Sequence, residues 1–299
     1  NCIRIPCFNS SIPVESTSEC LAIKLLRSES ATTDHDLTGQ IIWPVSYLLA
    51  HYIASERGQS LVNNMNVCEL GAGCGLPGLV ASHFAKKVAL SDGNDVVLDL
   101  LRDNAQNHEL VRERKHRTGN TEQGPEIQNE FETASKLFET SKCRISVQKC
   151  VWGDRSHLLS IRDVFGCQGA DVIVGADVVQ WPSVVEPLLH TVKALLWDSK
   201  VEKEVAGKYP TFVLGIVKRA TSISNQFFEL ARNMGFTSSK IPAELYLKHG
   251  VVPDECKEYG GRITEIYELT LTDRSVPPVM LERDVIIGET YENVLATPY

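Results

Sequence analysis

Apolar runs and amphipathic stretches alternate along the middle of this chain, and their order predicts a layered fold. Val67 to Leu70 reads as a short buried strand entering a glycine-rich turn, then a helix whose first turn holds Pro77 and which continues from Leu79 to Lys86. Lys87 to Ser91 is the next strand, ending in Asp92, and the helix after it sets Val97, Leu100, Leu101 and Asn104 on one face. Arg144 to Val151 forms a third strand closing in Trp152-Gly153-Asp154, and Asp171 to Asp177 a fourth, buried one. Pro182 and Ser183 open an amphipathic helix reaching Leu195-Leu196, Thr211 to Val217 is a fifth apolar strand, and Ser224 caps a helix that stops at Gly235. Ile263 to Leu271 alternates with period two, as a late antiparallel strand does. Strands alternating with helices give a doubly wound, mainly parallel α/β sheet, with ligands expected at the carboxyl ends of its strands.

The ends and one interior stretch lack this pattern. Residues 1–37 hold one expected strand, Cys20 to Leu26, and read as an extension packed on a core domain of residues 38–272. That domain begins with Ile41-Ile42-Trp43-Pro44 and a helix carrying Tyr47, Leu48, His51 and Tyr52 at helical spacing. Periodicity fails over residues 111–142, which are taken as a polar surface insertion with a basic, solvated start at Arg112 to Arg117. Residues 273–299 read as a tail.

Composition narrows the classes. Hydrophobic residues at 43% and charged residues at 23% are ordinary for a globular chain, and a net charge of −8 argues against a general nucleic-acid binder. Nine cysteines occur without C-x-x-C pairs, so reduced thiols are expected and no metal site. Neither a membrane-length apolar run nor a signal-peptide layout is present, so a cytoplasmic location is expected, with the nucleus also open, and no heptad pattern argues against a monomer.

The chemistry gathers at the strand ends. Gly73, Gly75 and Gly78 satisfy the dinucleotide pattern G-x-G-x-x-G, but the turn starts earlier, and Glu69, Gly71, Gly73 and Gly75 form E-x-G-x-G-x-G. A carboxylate there would repel a pyrophosphate and suits a ligand carrying an ammonium and a sulfonium. Asp92 lies about 20 residues beyond the turn, where an acid on the second strand reaches ribose hydroxyls; Asn94 stands beside it and can cap the next helix.

These residues, with Thr38-Gly39, Ile42-Trp43-Pro44, Asn104 with Asn107, Val151-Trp152-Gly153 and Gly175-Ala176-Asp177, resemble the family-16 group of seven-β-strand S-adenosylmethionine-dependent methyltransferases, over roughly Thr38 to Leu271. The resemblance implies a seven-stranded Rossmann-like sheet, with Trp43, Gly71, Ala72 and Gly73 lining the methionine side of the cofactor. It also implies that Asp92 holds the ribose, Trp152 stacks near the adenine and Ala176 meets the reacting end. The group includes protein-lysine methyltransferases, so the partner implied is a protein presenting a lysine. The group's acid-x-x-aromatic motif after the fourth strand is altered here to Asp177-Val-Val-Gln180, with Trp181 one place later.

On this reading Asp177 orients an incoming neutral amine, and Trp181 or Trp43 walls the slot, with Gln180 in the acceptor loop. A small-molecule N-methyltransferase with a nicotinamide-like acceptor, a nicotinamide-cofactor oxidoreductase and a non-catalytic interaction protein are the alternatives.

Overall fold

The computed structural model describes residues 2–6, 20–27, 38–118, 143–199, 209–219, 221–257 and 262–278. Strands β1 (Cys2–Pro6) and β2 (Cys20–Lys24) pair antiparallel, with Ile3 opposite Ile23. Ile5, Ile23 and Leu25 are buried in the main core. Next come α1 (Pro44–Ala54), α2 (Glu56–Val62), β3 (Asn66–Leu70), α3 (Leu76–Ala81), β4 (Lys87–Asp92), α4 (Asp95–Thr118) and β5 (Arg144–Lys149). The second half holds α5 (Arg155–Val164), β6 (Val172–Ala176), α6 (Pro182–Trp197), β7 (Thr211–Val217), α7 (Thr221–Asn233), β8 (Phe236–Ile241) and β9 (Thr264–Leu271).

The large sheet has seven strands in the order β5-β4-β3-β6-β7-β9-β8. Pairings from β5 through β7 are parallel, and β9 runs antiparallel to both β7 and β8. The chain winds outward from β3 to β5, then returns to β6 on the other side of β3. That reversal opens a crevice above the carboxyl ends of β3 and β6.

Alternation within strands decides which layer each side chain joins. Val67, Val88, Leu90, Val172, Val174 and Val213 pack with α1, α3, α4 and the β1–β2 pair. Cys68, Leu70, Ala89, Ile173, Phe212 and Leu214 pack on the opposite face with α5, α6 and α7. Both faces are covered, which is why the central strands read as continuous apolar runs. Each buried Val, Leu, Ile or Phe among them contributes about 1.5–3 kcal/mol by leaving water.

The expected strands and the late antiparallel one are present, with shifted ends. β1, β8, α2 and α5 were not expected. Ser224 does not cap α7, which starts at Thr221; it lies inside the helix and is buried. α4 continues through Thr118, so the first part of the expected insertion is helical, and 119–142 lie outside the described residues, as does the chain beyond 278.

Candidate functional site

Glu69 is the last but one residue of β3, on the strand face that α3 covers. Its side chain is buried, and Oε2 accepts a hydrogen bond from the Gly78 N–H at 2.8 Å. A Cβ on Gly78 would come within 2.5 Å of that oxygen and 2.2 Å of Leu90 Cδ2, so only glycine lets the helix approach. Burial pushes the Glu69 carboxyl up to about 8, with the Gly78 N–H pulling the other way. This corrects the expected role: Glu69 does not line the cavity, because its carboxylate is turned into the strand–helix joint and fixes the turn from behind.

The turn itself needs a left-handed backbone, with φ of 60° at Gly71, 52° at Gly73 and 84° at Gly75. At Gly73 a Cβ would also stand 2.9 Å from the Gly39 carbonyl oxygen. The short helical turn Thr38–Gln40 therefore lies directly against the glycine turn. Trp43, extended before Pro44 of α1, donates from Nε1 to the Thr38 carbonyl at 3.0 Å and holds that strap in place.

Asp92, at the end of β4, accepts from the Gly73 N–H and the Asn94 N–H, each at 3.1 Å. Burial raises its carboxyl above the usual range, while the backbone N–H groups of Asn94, Gly73 and Gly93 oppose the shift. Asn94 Oδ1 accepts from the Val96 N–H at 2.9 Å and so caps the start of α4.

Trp152 follows β5. Beyond it Asp154 caps α5, accepting from the N–H groups of Ser156 at 2.9 Å and His157 at 3.2 Å. Trp152 packs beside Gly71, whose missing side chain leaves room for the ring.

Across the crevice β6 ends at Ala176, and Asp177 takes a left-handed backbone with φ 58°. Asp177 was expected to offer its carboxylate to an acceptor. Instead both oxygens meet Arg219: Nη2 donates to Oδ2 at 2.7 Å, and Nη1 to Oδ1. Arg219 follows β7, the neighbouring strand, and was missed by the sequence reading. The strand-end rule that found Asp177 applies equally to β7 and could have found it.

One cavity of about 530 Å³ joins these parts, a size suited to a nucleoside-bearing ligand. Trp43, Gly71, Ala72, Gly73 and Gly75 line one side, Asp92, Asn94 and Trp152 the adjoining wall, and Ala176, Asp177, Gln180 and Trp181 the other. Of the expected site residues only Glu69 is absent from it. Among the described residues no lysine or arginine lines the cavity, so a pyrophosphate would find no cationic side chain from them there. Cys74 and Cys150 also line it, and burial pushes both thiols up to about 12. Among the described residues no group of three or more His, Cys, Asp or Glu side chains could hold a metal ion.

A left-handed glycine turn, a strand-end acid beside it and a cavity lined by no cationic side chain among the described residues fit the cofactor half of a Rossmann-like S-adenosylmethionine-dependent methyltransferase. Residues 24–118, which carry the strap, the turn and Asp92, match the model of the family described as lysine methyltransferase. The chain is similar to histone-arginine methyltransferase METTL23 of Mus musculus, at 28% identity over 54% of this chain and 49% of that protein. It is similar to the protein N-terminal and lysine N-methyltransferase EFM7 of Yarrowia lipolytica, at 27% identity over 81% of each chain. Protein N-lysine methyltransferase METTL21A of Xenopus tropicalis is 35% identical over 50% of this chain and 54% of that protein. The matched region thus spans about half of the mouse and frog proteins and most of the yeast one.

Proposed function

We propose that the protein transfers a methyl group from S-adenosylmethionine to a lysine side chain of a non-histone protein. The observation that carries this is a continuous cavity running from the glycine turn and Asp92 to the Asp177–Trp181 loop, with no cationic side chain in its lining among the described residues. The residues fit the cofactor. Asp92, held by two backbone N–H groups, retains lone pairs for ribose hydroxyls. Gly71, Gly73 and Gly75 add no side chain to the floor, and Trp152 offers an aromatic wall at the adenine end. Bound S-adenosylmethionine supplies an electrophilic methyl group, which a neutral amine accepts in line. The protein's part is to hold both reactants in register and exclude water. Trp43 and Trp181 wall the acceptor end, where an aromatic face tolerates a cationic product.

The names of the similar proteins support a protein nitrogen as acceptor, and those of the yeast and frog proteins specify lysine. A monomer in the cytoplasm, also entering the nucleus, fits the thiol-rich, acidic composition. Among the described residues no helix is long and apolar enough to cross a membrane.

Incubation with labelled S-adenosylmethionine and cell lysate, followed by mapping of the labelled residue, tests the proposal. Label on a lysine in a protein band is the expected outcome. Label confined to small metabolites would favour the small-molecule N-methyltransferase, and tight cofactor binding without transfer would favour an interaction protein. Asp177→Ala should abolish most transfer while keeping cofactor affinity, because it releases the acceptor loop and leaves the glycine turn untouched.

A further inference from the structure

Both N–H bonds of the Gln180 side-chain amide are committed to a single residue. Nε2 donates to the Asp177 carbonyl oxygen at 2.9 Å and to Asp177 Oδ2 at 3.3 Å. A primary amide has two donor hydrogens and one accepting oxygen. With the donors used, Oε1 is what Gln180 has left to offer the cavity it lines. A flipped amide would set Oε1 against two oxygens of Asp177, acceptor facing acceptor, so the orientation follows from the network.

Asp177 is itself fixed by Arg219. The guanidinium meets both carboxylate oxygens, the Asp177 side chain is only 2% exposed, and its left-handed backbone turns the following loop across the cavity. Arg219 does not line the cavity and acts through Asp177. The pairing also cancels charge. Among the described residues Asp92 and Asp177 are the only carboxylates in the lining; the first belongs to the cofactor end, and the second is paired with Arg219. The acceptor end therefore presents a hydrogen-bond acceptor without a net negative charge.

We infer that the acceptor subsite is a charge-neutral slot that takes an amine in its uncharged form. Arg219 serves as the positioning residue that, through Asp177, fixes Gln180 so that Oε1 receives the amine N–H. The inference rests on the methyltransferase reading of the cavity and names the form of substrate it selects. A free carboxylate would instead favour the ammonium and raise its pKa, holding the nucleophile in its unreactive state. Gln180 thus accepts a hydrogen bond from the nucleophile and leaves its lone pair available.

The test uses the full chain loaded with S-adenosylhomocysteine and two small probes at pH 7: 2,2,2-trifluoroethylamine, which is uncharged there, and ethylammonium, which carries the charge. Wild type should bind the uncharged probe at least about fivefold more tightly, and Gln180→Glu should reverse the order, since a carboxylate attracts the cation. In nitrogen-15 spectra the Gln180 side-chain amide protons should be shifted from those of a solvent-exposed glutamine and slow to exchange with water, a signature that is lost in Arg219→Gln and returns in Arg219→Lys. Preference of the wild type for ethylammonium, or a Gln180 amide indifferent to Arg219→Gln, would overturn the inference. Should Arg219→Gln lose S-adenosylhomocysteine binding, the reversal in Gln180→Glu decides alone. Absence of methyl transfer by the wild type to any lysate protein would strike at the proposed function and leave these readouts standing.

Discussion

Glu69 shows how one side chain links stability to the site. Its carboxyl, buried against the Gly78 N–H, is raised from its ordinary value of 4.5 to about 8. In the unfolded chain the group ionises near its ordinary pKa, so between those values the folded protein holds a proton that the unfolded chain has released. Stability must then fall as pH rises from about 5 to 8, by roughly 3–5 kcal/mol from this group alone. Glu69→Gln keeps a side-chain oxygen for Gly78 and cannot ionise. The difference in thermal midpoint between variant and wild type should therefore be small at pH 5 and widen in favour of the variant by pH 8. Parallel melting curves across that range would refute the assignment.

At the scale of elements, Asn104 of α4 joins three parts of the chain. Its Oδ1 accepts from the Leu26 N–H at 2.6 Å, and its Nδ2 donates to the carbonyls of Leu26 at 3.1 Å and Cys74 at 3.0 Å. Asn104→Ala strands these partly or wholly buried backbone groups, at a cost of about 2–4 kcal/mol. Because Cys74 belongs to the glycine turn, urea unfolding and S-adenosylhomocysteine affinity should both suffer; a loss of stability alone would place Asn104 outside the site. Asn104 also marks where sequence stops speaking. Its helical face was legible from spacing, its partners 30 and 78 residues away were not. The same divide runs through the fold. β3, β4, β6 and β7 announce themselves because burial on both faces demands apolar runs. β8 hides because its four central residues, Thr237 to Lys240, are exposed at the sheet edge and carry no apolar signal. α5 left its mark only in the capping Asp154 and the spacing of Leu158, Ile161 and Phe165. Most cavity residues were found because strand ends converge by topology. The pairing of Arg219 with Asp177 and the inward turn of Glu69 depended on contacts that no local pattern encodes.

For the whole molecule, two apolar layers share one sheet, and the helix layer is tied to its antiparallel end. Arg57 of α2 meets Glu268 of β9 at 2.7 Å, and the buried Tyr52 of α1 donates its hydroxyl to the same carboxylate. Such a body should unfold in one transition. The cavity draws its walls from both halves of the sheet, so a ligand that fills it binds only the folded state. S-adenosylhomocysteine at a hundred times its dissociation constant should add about 2.7 kcal/mol and raise the single calorimetric midpoint. A ligand-shifted midpoint for only part of the heat would show that the halves unfold apart.

An electrophilic methyl group endangers any nucleophile near it, the host's own included. Cys74 and Cys150 border the cavity, and a thiolate is a far better methyl acceptor than a thiol. Their burial, which holds both near 12, keeps the sulfurs protonated at neutral pH and so unreactive. On the proposed function, that burial guards against self-methylation and leaves the donor for a nucleophile that arrives from outside.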